Sequence, residues 1–144
     1  MNEKEFFYRL GTTIYKIDNV YDVLAKKADI PQTLLWILYA LNDGNKHSQR
    51  DICENWSLPK STVNTIIKDL EKEKLVILEP IEGKRREMFI KLTSDGIKLA
   101  NEKLGFVYTF EKNIYKKLSN EANKILSHFE QIANILSEEA NKNE

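Results

Sequence analysis

The chain has 144 residues, with 22 basic and 22 acidic side chains, so its formal net charge is zero. That length suits one domain over residues 1–144. Because basic and acidic side chains balance, the net charge gives no indication of nucleic-acid binding. No apolar run approaches the roughly 20 residues that span a bilayer, and a lone cysteine, Cys53, cannot form an internal disulfide. We therefore expect a cytoplasmic protein with no membrane partner.

The first two predicted elements are helices. Over residues 6–28, apolar side chains recur at alternating spacings of three and four, which predicts one long helix packed against other helices. Pro31 suits the first turn of a second helix. Residues 32–42 are apolar on nearly every side, which predicts the buried centre of the domain. Gly44 is a natural left-handed end to this helix.

Two helices separated by a tight break follow. Ser48 suits the N-cap of a short helix over 48–56. Residues 57–59, Ser-Leu-Pro, form the break. The apolar spacing over 59–74 predicts a second, amphipathic helix whose buried stripe includes Val63 and Ile67.

A β-hairpin comes next, because the apolar period changes from 3.6 to 2. Residues 75–80 and 87–92 are rich in β-formers, and the segment between them contains Gly83. This pattern predicts two antiparallel strands with Gly83 in the turn.

Helices close the chain. Thr93 suits the N-cap of a long helix, and Ser119 is predicted to cap the last one. Apolar stripes at both ends of the chain, over 1–30 and 97–144, indicate a dimerisation layer apart from the central elements. The predicted fold is mainly α with a small β-hairpin wing, in the order of a winged helix-turn-helix over 32–95.

The central run resembles a known family. Residues 35-LWILYALNDGNKHSQRDICENWSLPKSTVNTIIKDLEKEKLV-76 and 85-RREMFIKLTSDG-96 are similar to the MarR family of transcription regulators. In that family Leu-Thr-x-x-Gly closes the wing. The resemblance implies a recognition helix at about 59–74 and a wing at about 76–92. The terminal helices would then join two copies into a homodimer.

Three positions depart from the family pattern. Gly83 stands where an aspartate often braces the wing arginine. Lys74 stands where a glycine often ends the recognition helix, and a left-handed lysine there costs on the order of 1 kcal/mol. Ser57 replaces the usual turn glycine. None of these departures changes the predicted fold.

The recognition helix offers groups that suit DNA. Its N-terminus favours phosphate through free N–H groups and a partial positive charge. Asn64 can bond adenine through two hydrogen bonds, and Thr65 can contact a thymine methyl. We expect the remaining polar side chains of this face to contact phosphates: Lys60, Ser61, Thr62 and Lys68. The alternative is an ordinary solvated face.

Three consecutive cations, Lys84, Arg85 and Arg86, occupy the predicted wing tip. Like charges on a hairpin tip repel unless an anion neutralises them, and arginine is favoured in a narrow minor groove. We expect all three to contact DNA. The alternative is a charged edge that prevents strand-to-strand aggregation, and the two roles are compatible.

Three aromatic residues, Tyr15, Trp36 and Tyr39, have two interpretations. The family resemblance implies that they line a cleft between the dimerisation helices and the DNA-binding elements. This cleft would bind a small aromatic effector. The alternative is ordinary packing in the core or the dimer.

Neither an enzyme nor a cofactor or metal site is predicted. The sequence contains no nucleophile elbow, no Gly-rich phosphate loop and no cluster of metal ligands. The resemblance instead implies a cytoplasmic transcription regulator, commonly a repressor, that binds an inverted repeat of double-stranded DNA as a homodimer. Two alternatives stay open: a winged-helix module that binds proteins, and a DNA-binding regulator without a small-molecule effector.

Overall fold

A computed structural model describes residues 1–142, and six α-helices, three short strands and one 3-10 turn lie within that range. Their order is α1 (Glu3–Lys27), α2 (Gln32–Leu41), β1 (His47–Ser48), α3 (Gln49–Trp56), α4 (Lys60–Lys72), β2 (Val76–Pro80), β3 (Met88–Leu92), α5 (Ser94–Leu118), the 3-10 turn (Ser119–Glu121) and α6 (Ala122–Asn141). The mainly helical fold with a β wing is therefore confirmed. Within residues 1–142, no helix has the length and apolar character needed to cross a membrane.

The chain forms two compact units, 1–105 and 106–144. The first contains α1 to β3 and the first half of α5, while the second contains the rest of α5 and α6. The boundary falls inside a helix and not in a linker. One domain over 1–144 and the dimerisation ranges 1–30 and 97–144 stay predictions, and the last two residues lie outside the described part of the chain.

The core of the first unit is built on α2, as its apolar sequence predicts. Leu35, Ile37 and Leu38 have no exposed surface. Each of the neighbouring helices and strands adds buried aliphatic side chains around them: Leu24, Ile52, Val63, Ile67, Val76, Ile90, Leu92 and Leu104. Burial of such side chains contributes about 1.5–3 kcal/mol each, so α2 fixes the position of the surrounding elements.

The sheet has three strands and not only the predicted hairpin. Its order is β1-β3-β2, and both pairs are antiparallel. In the hairpin, Leu78 pairs with Ile90. The additional strand β1 pairs His47 with Ile90 and Ser48 with Phe89. Because β1 leads directly into α3, it fixes the start of the helix pair against the wing.

Side-chain caps set two helix starts as predicted. The Ser48 hydroxyl accepts from the Asp51 N–H at 3.0 Å, and the Asp51 carboxylate accepts from the Ser48 N–H at 3.3 Å, which together form a capping box. The Thr93 hydroxyl accepts from the Gly96 N–H at 3.1 Å. The prediction for Ser119 is wrong: it begins the 3-10 turn, and α6 starts three residues later without a side-chain cap.

The apolar stripe of α1 is exposed in the single chain. Phe7, Ile14 and Ile17 lie on this face, and about half of the surface of each is accessible. In the second unit, α6 also exposes large apolar side chains, among them Phe129 and Leu136. Contiguous exposed apolar surface of this kind marks an interaction face.

Candidate nucleic-acid interface

Helix α4 begins with free backbone donors. Pro59 occupies the N-cap position in an extended conformation, and no side chain among the described residues caps this helix end. Two residues earlier, Ser57 ends α3 with a φ of 48°, so the tight break contains a left-handed serine. The first N–H groups of the helix therefore face outwards without a protein partner, which suits an anion.

The predicted contact residues of α4 lie opposite its buried stripe. Thr62 and Asn64 are half-buried, whereas four other side chains of this face are exposed: Lys60, Ser61, Thr65 and Lys68. The Thr65 hydroxyl donates to the Ser61 carbonyl at 3.0 Å. That bond uses the hydroxyl proton of Thr65 within the helix, which is compatible with the predicted contact through its methyl group.

The wing tip is a tight turn with exposed cations. The Lys84 N–H donates to the Ile81 carbonyl at 3.1 Å, and Gly83 adopts a φ of 76°. Arg85 and Arg86 follow, both exposed. Among residues 1–142, neither arginine forms a hydrogen bond or an ion pair, so their charges are free to meet an external anion.

A cleft of about 750 Å³ lies between α3, α4 and the wing. Its apolar lining comes from Leu78, Met88, Ile90 and Cys53. Cys53 is half-buried here. The charged and polar side chains around the cleft include Arg50, Glu54, Lys60, Asn64, Arg86 and Glu87. The cleft thus brings residues of the predicted recognition helix and the predicted wing together.

Ion pairs connect α3 to the wing along this cleft. Arg50 Nε donates to Glu54 Oε1 at 2.8 Å, and Arg50 Nη1 lies 3.9 Å from Glu87 Oε1. The other carboxylate oxygen of Glu87 accepts from Lys84 Nζ at 3.1 Å. Lys84 thus has an anion beside it within the chain, and its contact with DNA stays a prediction.

Sequence reasoning missed Arg50, Glu54 and Glu87. The hydrogen bond to Glu54, with the charges of Glu54 and Glu87, raises the pKa of the Arg50 guanidinium. Arg50 and Glu54 are four residues apart, a spacing that brings two side chains together on one face of a helix. The link to Glu87 has no such signal, because it joins residues that are distant in sequence.

A second polar contact holds the loop before α3. Both carboxylate oxygens of Asp43 lie 2.9 Å from His47 Nε2, and one of them accepts from the Asn45 N–H at 2.8 Å. Desolvation alone would raise the pKa of Asp43. The hydrogen bonds with His47 and Asn45 outweigh it and lower that pKa from 3.8 to about 2.

We expect Asp43→Asn to remove a contribution to stability that depends on pH. A carboxylate with a lowered pKa stabilises the folded state fully above its unfolded pKa, and that contribution is lost as the pH falls through its folded pKa. Urea unfolding should therefore show wild type more stable by about 0.5 kcal/mol at pH 6, as for exposed pairs. The gap should shrink between pH 4 and pH 2.

Glu102→Gln is the matched control for the Asp43 variant, because Glu102 is exposed and forms no ion pair among the described residues. The difference between its unfolding free energy and that of wild type should not change between pH 6 and pH 2.5, because it loses no ion pair. A gap for Asp43→Asn that is constant from pH 6 to pH 2.5 would contradict the assigned role of the carboxylate.

The predicted effector residues do not all lie together. Trp36 and Tyr39 belong to an aromatic cluster in which Trp36 stacks on Trp56 with ring centroids 4.9 Å apart. Tyr21 packs against Trp36 with a centroid distance of 4.6 Å. Tyr15 lies outside this cluster on the exposed face of α1, and 76% of its surface is accessible.

Comparison with known proteins identifies the family. The model of the MarR family matches residues 28–87, which span α2 to the wing. A solved structure of NMB1585, a MarR family regulator from Neisseria meningitidis, superposes with a TM-score of 0.86 at 26% sequence identity and covers 100% of both chains. Residues 28–87 thus match the MarR family, and the whole chain has the fold of a MarR family regulator. This family consists of winged-helix DNA-binding transcription regulators, which are not enzymes.

Two other solved structures share the MarR fold. S. aureus MepR in its DNA-binding conformation has a TM-score of 0.70 at 22% identity, covering 92% of this chain and 97% of that one. NadR in complex with 4-hydroxyphenylacetate has a TM-score of 0.70 at 22% identity and covers 89% of each chain. None of the curated protein sequences compared with this chain matches it.

Proposed function

We propose that this MarR-family protein is a cytoplasmic repressor that binds an inverted-repeat operator as a homodimer and is released by a small-molecule or other signal. The observation that carries the proposal is the shared cleft, where Lys60 and Asn64 of α4 meet Arg86 of the wing. An uncapped helix N-terminus and a free cationic wing on one surface match the two parts of a winged-helix interface.

The two parts of this interface have different tasks. Asn64 and Thr65 read base edges in the major groove, because an amide and a methyl group discriminate adenine and thymine there. The cations of α4 and the wing bind phosphates or the minor groove. They set the register and most of the affinity but carry no sequence information directly.

A homodimer accounts for the exposed apolar stripe of α1. Phe7, Ile14 and Ile17 recur along one helix face and are exposed in the single chain. A second copy would cover this face and present two recognition helices. Their half-sites would lie about one helical turn apart, roughly 34–36 Å. MepR, a neighbour with the same fold, was solved in a DNA-binding conformation, which supports the proposal.

Fluorescence anisotropy on duplex DNA tests this function. The probes are DNA from upstream of the protein's own gene, genomic fragments selected by binding, and a random duplex. We expect tight, steeply salt-dependent binding to at least one genomic sequence. Asn64→Ala should weaken that binding by about 1–3 kcal/mol, because a bidentate base contact is lost. Its affinity for the random duplex should change little.

Asn113→Ala is the matched control, because it removes the same amide from an exposed site on α5. It should bind both duplexes like wild type. If no selected fragment binds more tightly than the random duplex, even at low salt, the protein is not a sequence-specific regulator. A protein-binding winged-helix module would then be the better interpretation.

The same complex tests for an effector. NadR was solved with 4-hydroxyphenylacetate, and Trp36 and Tyr39 of this chain form part of an aromatic cluster. We expect an aromatic acid of this class to lower the anisotropy of the protein–operator complex. If no such acid releases the DNA, the regulator acts without an aromatic effector.

A further inference from the structure

The ion pairs beside the proposed DNA interface neutralise cations that could otherwise bind phosphate. Glu87 directly precedes β3, at the loop end of the wing, and lines the same cleft as Lys60, Asn64 and Arg86. Its two carboxylate oxygens contact different cations: Oε2 lies 3.1 Å from Lys84 Nζ and Oε1 lies 3.9 Å from Arg50 Nη1. One carboxylate therefore faces two positive side chains from two different elements.

Both cations are exposed enough to exchange partners. The side chains of Arg50 and Lys84 are 66% and 54% accessible, whereas that of Glu87 is only 32% accessible. Exposed ion pairs contribute little to folding stability. The contacts of Glu87 can thus be replaced by phosphate contacts without a large loss of folding energy.

We propose that Glu87 is an internal competitor for DNA phosphates, which lowers the sequence-independent affinity of this interface by holding Arg50 and Lys84. The proposal rests on the proposed function. A cation paired with a carboxylate brings no free charge to the duplex, and the carboxylate itself repels phosphate. Since sequence-independent binding comes almost entirely from phosphate contacts, Glu87 reduces it and leaves the base contacts of α4 in place.

A purely structural role for Glu87 predicts the opposite result. If Glu87 served only to tie the wing to α3, its loss would loosen the wing and weaken DNA binding. If it competes with phosphate, its loss frees Lys84 and removes a negative charge beside Arg50, which keeps its bond to Glu54, so binding becomes stronger. The sign of the change in affinity therefore separates the two roles.

The experiment measures anisotropy of a random-sequence duplex of about 30 base pairs with wild type and Glu87→Gln, from 50 to 200 mM salt. The amide keeps the size of the side chain and removes its charge. We expect Glu87→Gln to bind about tenfold more tightly at low salt, with a steeper salt dependence. The slope should steepen by about 0.9 for each additional phosphate neutralised.

Glu79→Gln is the matched control. It removes the same charge from the other strand of the hairpin, where Glu79 pairs with Lys46 at 2.6 Å and does not line the cleft. We expect a smaller gain than for Glu87→Gln, because Glu79 lies in the same hairpin opposite Phe89 but does not line the cleft. Equal gains for both variants would overturn the proposal, since the effect would then follow net charge and not position.

The other outcomes separate this inference from the proposed function. If wild type binds duplex DNA and Glu87→Gln binds equally or more weakly, the competitor role is overturned and the regulator stands. If neither protein binds at the lowest salt, both are overturned. Tighter, more salt-dependent binding by Glu87→Gln alone, with an unchanged melting temperature, supports the competitor role.

Discussion

Gly96→Ala is expected to destabilise the protein by about 3 kcal/mol, at the upper end of the range for overpacking. A Cβ atom at Gly96 would lie 1.9 Å from the Leu75 carbonyl oxygen and 3.1 Å from Leu92 Cδ2. The first contact is with backbone, so no flexible side chain can move aside. The better helix propensity of alanine, about 1 kcal/mol, is too small to offset the clash.

The surrounding hydrogen bonds hold the Leu75 carbonyl in place. It accepts from the Thr93 N–H at 3.0 Å, and the Thr93 hydroxyl donates to the Lys74 carbonyl at 2.8 Å. Lys74 itself has a φ of 61°, the strained left-handed conformation predicted for a lysine at the end of the recognition helix. The start of α5 is thereby fixed to the end of α4, and Gly96 permits the close approach.

Thermal and urea unfolding of Gly96→Ala and wild type test this prediction. Both proteins are measured at the same concentration, because the stability of the proposed dimer depends on concentration. The control is Gly105→Ala in α5, where a Cβ atom meets no atom of the described residues within 4 Å. That variant should be unchanged or more stable by up to about 1 kcal/mol. Gly96→Ala with wild-type stability would mean that α5 can shift at no cost.

Arg85→Ala/Arg86→Ala is expected to lower DNA affinity by about 100-fold at moderate salt, with the loss roughly equal on operator and random duplex. Both arginines are exposed on the wing, and no partner within residues 1–142 competes for them. In a dimer the change removes two cations from each wing. The slope of log affinity against log salt should therefore fall by about 3.5.

Anisotropy across a salt series measures the wing prediction, and unfolding measurements verify that the fold is intact. The control is Lys116→Ala/Lys117→Ala, which removes two adjacent exposed cations at the end of α5. If the effect depends on the position of the arginines and not on net charge, this control should bind DNA within about twofold of wild type. A selective loss on the operator alone would instead show that the arginines read bases.

Local sequence signals predicted most of the elements correctly. The three–four spacing of α1 and the uniformly apolar α2 each correspond to a helix within a few residues of the predicted ends. The period-2 segments on either side of Gly83 pair as a hairpin. Ser48 and Thr93 cap the helices that they were expected to start. These features depend on interactions within a few residues, which periodicity and capping chemistry capture.

The proposed interface could be predicted only in part. Asn64, Lys60 and Arg86 were identified from the sequence, and the structure places all three around one cleft. Lys84 was expected to contact DNA, and the sequence did not indicate that its Nζ would also lie 3.1 Å from the carboxylate of Glu87. Tyr15 was grouped with Trp36, whereas the rings that pack against Trp36 include Tyr21 and Trp56. These partners depend on which helix faces meet, which no local pattern specifies.

The sequence by itself determined the helices, the hairpin and the turn positions, because backbone propensity, apolar period and cap chemistry act over short distances. Strand β1 depends on the tertiary structure, because its two residues show no apolar period and form a strand by pairing with Ile90 and Phe89. The tertiary structure also decided the bridge from Arg50 to Glu87 and the contact of Gly96 with Leu75. Each of these joins segments that are brought together by the burial of a common core around α2.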